Sequence, residues 1–483
     1  MTGKTVDLIE PSDFRISKIL APLIAIIVGS FLVILDTTVM NVVLPTLVKD
    51  FKVGLSALEW TVTGYMLATA AVIPMAGWLS DRYGAKHIFL TSIFMFTLGS
   101  ALCSTSNQVE WLIAFRVIQG LGGGFVIPVG LAYVFKLSPP EKVGMAMGLF
   151  GVPILLAPAI GPVISGWLAE FHSWRWIFLI NIPVGLFSIL YGMRSLPRID
   201  KKPVSALDLP GLLLGPLAFV ALMYGVNEGV RSWTSATTIT SLVLGVVLLL
   251  AFILVELRSA QPLLELRVFQ SFNFSLAMIV QWIVTFTIFG ALFLVPQFLQ
   301  QAGGFGAFDT GLTLLPQPIA AALTMPLGGY LFDRIGVRWL IVIGLGLLIA
   351  ALWQFTYMDQ LTSYQSLVLP LAMAGCGMGL MMMPLDTHIL NQAPRELVSR
   401  VTSLAGATQQ LVCSLTVATL VTVYSTRLTR LMAEATASSS NQEVFASQAF
   451  GFTFGIMVIV GLCGIVLGLF LRKGRKTANL PVF

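Results

Sequence analysis

Fourteen apolar runs follow one another along the chain, at about 19–44, 57–79, 87–106, 110–135, 143–168, 175–193, 208–226, 236–256, 273–300, 310–332, 339–357, 366–390, 399–424 and 450–471. Runs of roughly 20 residues are long enough to cross a ~30 Å hydrocarbon core as helices. Inside lipid every backbone N–H and C=O must find its partner within the protein, so a spanning segment is either a helix or part of a closed barrel. A barrel is built from ~10-residue stretches of alternating polarity, and these runs do not alternate. Composition agrees: 57% of residues are hydrophobic and 10% charged, against about 25% charged in a soluble domain. The sequence therefore predicts an all-α integral membrane protein with lipid facing much of it.

Lys and Arg set the orientation. With both termini on one side, 21 of the 28 basic residues collect there and 6 on the other, leaving Arg116 inside a run. That bias predicts cytoplasmic termini and an even number of spans. Because the basic residues are scattered between spans, the net charge of +6 does not point to nucleic acid. The polar Met1–Lys18 segment and the length of the first run do not fit a cleavable signal. Cys103, Cys376, Cys413 and Cys463 sit in or beside apolar runs without CxxC spacing and read as small buried apolar residues. The longest break, 425–449, is small and polar and reads as an exposed loop.

Two of the charged breaks are versions of one another. Residues 77–86 read GWLSDRYGAK and 329–338 read GYLFDRIGVR, with Gly77/Gly329, Asp81/Asp333, Arg82/Arg334 and Gly84/Gly336 in register. Such internal repeats are common in carriers whose halves move against each other. Gly77 and Gly329 would permit close packing. Asp81 and Asp333 would accept hydrogen bonds from the N-terminus of a neighbouring helix, and Arg82 and Arg334 would pair across the turn. The contacts would latch one side shut; plain retention of positive charge inside is the competing reading. Eight spans lie between the copies. A duplication of six-helix halves would place six there, so the seventh and eighth look inserted.

A few polar groups lie within the runs. Asp36 is near the middle of the first, in LDTTVMNVVLP, where a charged side chain costs about 2.5–3.5 kcal/mol. Burial disfavours a carboxylate's charge and a nearby cation favours it. An acid balanced between the two can exchange a proton; a static polar contact between helices is the alternative. Arg116 lies one turn into LIAFRVIQGLGGGFVIP, with Gln119 on the same face. It reads either as the group that sets a carboxylate's affinity for protons or as a structural ion-pair partner. Gly120, Gly122, Gly123 and Gly124 would let a neighbouring backbone approach. The fifth run, with Pro158, Gly161, Pro162 and Gly166 among its breakers, predicts a kinked, smooth-faced helix at an interface between halves. In the second half, Asp386 and His388 occupy MMMPLDTHIL, and Gln281, Trp282, Gln297, Gln317 and Gln409 supply further polar groups. With Asp36 they are the candidates for a substrate cavity. Asp386 could bind a cation, share proton duty or cap a helix end. Neither a nucleotide-binding domain nor a catalytic triad is evident, and His87, His172 and His388 make no metal pattern. The chain does not read as an enzyme, and no cofactor or metal is expected.

Taken together, these motifs resemble the major facilitator superfamily, and closely its fourteen-span drug:proton antiporter branch. The resemblance rests on residues 35–45, 77–86, RVIQGLGGG at 116–124, PAIGPVISGWL at 158–168, WRWIFLINIPVG at 174–185, 329–338 and NQAPREL at 391–397. It implies a cytoplasmic tail at 1–18, a six-helix half at 19–203, two inserted helices at 204–262, a second six-helix half at 263–471 and a cytoplasmic tail at 472–483. It also implies a central cavity and alternating access. Asp36 and Arg116 correspond to the family's proton-coupling acid and arginine, the charged turns to its gate and Pro158–Gly166 to its antiporter helix. Asp386 departs from the pattern, where a neutral polar residue is common. The implied activity is proton-driven export of lipophilic, often cationic compounds across the cell inner or plasma membrane by a monomer, with lipid, protons and small substrates as partners and no nucleic acid. An exporter of one metabolite, lipid or siderophore remains a second reading, and a non-transporting membrane sensor a third.

Overall fold

The computed structural model describes residues 16–53, 55–139, 142–198, 209–259, 262–303, 305–358, 364–434 and 442–472. Most of the two expected tails, 1–15 and 473–483, lies outside the described residues, as do 199–208 and 435–441.

Among the described residues the chain forms α-helices and no β-strand. They are α1 (Ile16–Phe51), α2 (Leu55–Val72), α3 (Ala76–Tyr83), α4 (Ala85–Thr105), α5 (Val109–Leu137), α6 (Val143–Phe171), α7 (Arg175–Leu179), α8 (Asn181–Ser195), α9 (Leu209–Gly229) and α10 (Ala236–Arg258). They continue as α11 (Phe272–Gln301), α12 (Ala307–Leu314), α13 (Pro316–Ile335), α14 (Val337–Thr356), α15 (Tyr364–Asn391), α16 (Val398–Glu434) and α17 (Gln442–Leu469). Twelve helical segments among the described residues combine the length and apolarity needed to cross a membrane. Within α6 the shorter stretch Val143–Pro158 is apolar, and α12–α13 is not among the twelve.

Several runs are interrupted where the sequence supplies a reason. Pro74 sits in a 3-10 turn, Ile73–Met75, that joins α2 to α3. Pro316 occupies the first turn of α13, where its missing N–H costs nothing. In α6 the prolines do not end the helix, which is continuous from Val143 to Phe171. The loop expected at 425–449 begins later than its composition suggested, because α16 continues to Glu434. The segment STRLTRLMAE is polar, yet Leu, Met, Ala, Arg and Glu are good helix formers, so the helix runs on past the apolar stretch. Cys103 is buried as expected, whereas Cys463 is exposed on α17.

Backbone contact between helices is made through glycine. A methyl group on Gly122 of α5 would lie 2.5 Å from the Phe96 N of α4, and one on Gly120 would lie 2.6 Å from the Tyr65 O of α2. The GLGGG run therefore seats α5 directly on two neighbours. α6 packs on α1, α14 on α15 and α17, and α11 on α16 and α17. α9 packs on α10, and also on α2 and α16. α10 is the least enclosed of this pair, 17% buried over its apolar window, with Val243, Leu244, Val247 and Leu250 facing outward. α6 also crosses α13, and α16 touches α3 and α5.

Both copies of the charged turn end on a glycine with positive φ, 91° at Gly84 and 82° at Gly336. Each turn passes directly into the next helix, so the conformation sets the angle between two long rods. A side chain in this region costs about 1–3 kcal/mol. Gly84→Ala and Gly336→Ala are therefore expected to lower the thermal midpoint of the purified protein. Gly346→Ala, where an added methyl meets open space, leaves it unchanged or raised; equal midpoints for all three would contradict the argument.

Candidate functional site

Five polar side chains from four different helices meet inside the first eight helices. Asp36 comes from the middle of α1, Arg116 and Gln119 from successive turns of α5, Asn181 from the first residue of α8, and Ser100 from α4. Arg116 Nη1 donates to Asp36 Oδ2 at 2.5 Å and to Gln119 Oε1 at 2.8 Å. Gln119 Nε2 and Asn181 Nδ2 both donate to Asp36 Oδ1, at 2.9 and 3.0 Å. Asn181 also donates to Ser100 Oγ at 3.0 Å, and Ser100 donates to the Phe178 carbonyl at 2.9 Å.

The cluster is shut off from solvent: Asp36 is 3% exposed and Arg116 1%. The guanidinium is further held by the Thr61 carbonyl, 3.3 Å from Nε, and by the Tyr65 ring, whose centroid is 4.1 Å from Cζ. Ion pairs in such a setting roughly cancel their own desolvation cost, so stability does not explain why the pair is there. Chemically, the carboxylate has three donors, one of them its counter-ion, and its charge is compensated. A proton added to either oxygen would displace one donor and leave Arg116 without its anion. The site is thus built so that one proton changes the partners of three helices.

Sequence reading singled out Asp36, Arg116 and Gln119, and the structure brings them together. Asn181 was missed as a participant. The available signal was an amide in the apolar stretch FLINIPVG, where an unpaired polar group would be costly.

The second-half candidates divide. Gln281 Nε2 of α11 donates to Asp386 Oδ1 of α15 at 2.5 Å. Both line a cavity with Thr285, Phe289 and Met382, and with Gln409 of α16. Trp282 lies beside Gln281, and its Nε1 is buried without a hydrogen-bond partner. Gln317 and Gln297 do not converge there. Gln317 is buried between α13 and α15, donating to Met378 Sδ at 3.2 Å. Gln297 accepts from Gln301 one turn further along α11, at 2.7 Å. His388 faces Gln392, just past the end of its helix, at 3.3 Å.

The two charged turns and the starts of α6 and α16 gather at one end of the bundle, and each turn is used differently. Asp333 accepts from the Gly144 and Met145 backbone N–H groups, at 3.0 and 3.1 Å, in the first turn of α6. The helix dipole favours an anion there. Asp81 instead lies 3.5 Å from Lys136 Nζ at the end of α5 and 3.7 Å from Arg400 Nε at the start of α16. Lys136 Nζ also donates to Ser399 Oγ at 2.5 Å, and the Gly77 N–H donates to Ser403 Oγ at 2.6 Å. A methyl group on Gly77 would run into the Ser399 carbonyl. The arginines of the repeat stack on aromatic rings of their own helices. Arg82 Cζ lies 5.1 Å from the Trp78 centroid, and Arg334 Cζ lies 4.4 Å from that of Tyr330. Gly84 and Gly336 close the two turns.

Of the breakers in α6, Gly144, Gly148 and Gly151 face α13, where added methyl groups would meet Gly329, Met325 and Pro326. Gly161 faces Thr38 of α1, two residues after Asp36. Pro158 is partly exposed, while of Pro162 and Gly166 the structure describes only their part in the α6 backbone.

Comparison with known proteins gives a consistent result. The family profile described as Major Facilitator Superfamily matches residues 26–417. The chain is 34% identical over 389 residues to the multidrug resistance protein B homolog of Mycobacterium tuberculosis H37Rv, covering 80% of this chain and 72% of that one. It is 30% identical over 455 residues to the lincomycin resistance protein LmrB of Bacillus subtilis, covering 92% and 95%. Among solved structures, the proton:xylose symporter XylE superposes with a TM-score of 0.65 at 15% identity, over 96% of this chain and 98% of that chain.

Proposed function

The chain belongs to the Major Facilitator Superfamily, and from that premise we propose that it is a proton-coupled antiporter exporting lipophilic, often cationic compounds by alternating access. The observation that carries the proposal is the Asp36 carboxylate, 3% exposed and held by donors from α5 and α8. An ionised group this deep in a spanning helix is costly and is a functional site by default. Relatives named for multidrug and lincomycin resistance support a drug-like cargo.

In the proposed cycle, Asp36 takes up a proton when the path opens outward, Arg116 is released from its pair, and cargo leaves. The proton departs on the cytoplasmic side, the pair re-forms, and new cargo enters from the cytosol or inner leaflet. The charged-turn cluster is the cytoplasmic gate, with Asp333 on α6 and Asp81 between Lys136 and Arg400 as its latches. The proposed organisation is fourteen spans. They are the twelve apolar segments together with α6 and α12–α13, arranged as halves 19–203 and 263–471 around α9–α10, with both termini cytoplasmic.

The test is transport by the purified full-length protein in liposomes. With an acidic lumen and an alkaline exterior, the cationic dye rhodamine 6G is expected to accumulate inside, and nigericin is expected to abolish the accumulation. A rate that is the same with the gradient collapsed would overturn proton coupling.

A further inference from the structure

Asp36 has a counter-ion and a full set of donors. Asp386, a second acid within a spanning helix, has neither. Among the described residues no Lys or Arg forms an ion pair with it, and the group that donates to it is the neutral Gln281 amide. The Gln281 side chain is itself 4% exposed, and its Oε1 is buried without a donor. With Nε2 committed to the carboxylate, that oxygen is a second acceptor on the same side chain. Two acceptors thus stand side by side, with no cation supplied by the protein.

The space they line is small in this arrangement, about 10 Å³, and otherwise apolar and polarizable, with Phe289 and Met382 as walls and Thr285 and Gln409 at the edges. A partly enclosed carboxylate without a counter-ion favours whatever brings positive charge to it. An orphan amide oxygen beside it favours an N–H donor. Aromatic and thioether walls suit the apolar carbons next to a charged nitrogen. One ligand class satisfies all three features: a lipophilic monocation whose positive nitrogen carries hydrogen.

We infer that Asp386 and Gln281 form the subsite that receives the charged N–H group of a cationic substrate, in the cavity between α11, α15 and α16. The inference rests on the export reading given above and assigns the two acids different work. Asp36 exchanges its proton against Arg116, and Asp386 faces the cargo. A cargo lacking positive charge gains nothing from the subsite.

Equilibrium binding without any gradient reads this subsite apart from coupling. Rhodamine 6G, a monocation with N–H groups, is titrated onto the detergent-purified full chain by fluorescence anisotropy. Asp386→Asn is expected to weaken binding at least tenfold and Asp386→Glu to retain it within about threefold. Gln281→Leu is expected to give an intermediate loss. Tetraphenylphosphonium, a cation with no N–H, is expected to be affected by Asp386→Asn but not by Gln281→Leu. Thermal midpoints equal to that of the parent separate lost binding from lost folding. Unchanged rhodamine 6G binding by Asp386→Asn overturns the subsite, as does absence of binding to the parent chain. Retained binding with lost gradient-driven accumulation also overturns it, because the acid would then carry protons. Failure of the export reading shows elsewhere, in liposome accumulation that ignores nigericin while binding still depends on Asp386.

Discussion

In the Asp36→Asn variant, gradient-driven accumulation of dye falls to the level of empty liposomes. Asparagine keeps the shape of the side chain and can still accept from Asn181 or Gln119, but it cannot take up and release a proton. It also leaves Arg116 as a buried cation without its anion, 2.5 Å from the vacated charge. Breaking a buried pair from one side costs about 3–5 kcal/mol, so this variant is expected to melt earlier as well. The two effects are separable. Asp36→Asn combined with Arg116→Gln removes both charges and keeps polar partners for Asn181 and Gln119. That double variant is expected to regain most of the thermal midpoint and none of the accumulation. Proton-driven transport by the stable double variant would remove Asp36 from the coupling step, whatever its role in packing.

The parts of this site that were legible in sequence were those whose cost is local. An aspartate in the middle of LDTTVMNVVLP and an arginine in LIAFRVIQG are expensive wherever they point, so each announces itself alone. Their meeting was less visible, because 80 residues separate them and no helical period connects α1 to α5. Asn181 was harder still: an amide is cheaper to bury than a charge, and one in an apolar run attracts less notice. The glutamines show the opposite failure. Gln281, Gln297, Gln317 and Gln409 looked alike as polar groups in spans, but helix rotation sorts them. Gln281 and Gln409 face the Asp386 cavity, Gln317 turns into the contact with Met378, and Gln297 pairs along its own helix. The repeated turns were visible as a motif, and their positive-φ glycines are what the motif encodes. The different partners of Asp81 and Asp333 were not, because those partners lie on α5, α6 and α16 and depend on how the helices are assembled. The end of α16 was misread because polarity marks where lipid stops, not where a helix does.

The second large effect is expected at the crossing of α6 and α13. A methyl on Gly144 would sit 2.5 Å from the Gly329 carbonyl and 2.7 Å from Asp333 Oδ1. Backbone cannot rotate out of the way, so Gly144→Val must push the two helices apart at the charged-turn end. Doing so separates Asp333 from the Gly144 and Met145 N–H groups, its two donors from α6. A hydrogen bond to a charged group is worth about 1.5–3 kcal/mol. Losing both therefore shifts the balance against the closed arrangement by about 3 kcal/mol or more, on the order of a hundredfold in population. Gly122 makes an equally close approach to α4, but that contact lies within the first eight helices and does not cross to α13, so its enlargement is expected to impair folding instead. Spin labels at Lys142 and Ile335, on a background without the exposed Cys463, read the gap directly. In Gly144→Val the distance distribution is expected to move outward and dye accumulation to fall at least tenfold. Gly144→Ala does the same to a smaller degree should the valine variant accumulate poorly. Gly346→Val, placed where no atom lies within 4 Å, is the control for adding bulk to a spanning helix. An unmoved label distance together with parental transport in Gly144→Val would mean that α6 and α13 are fixed neighbours, and that the gate lies elsewhere.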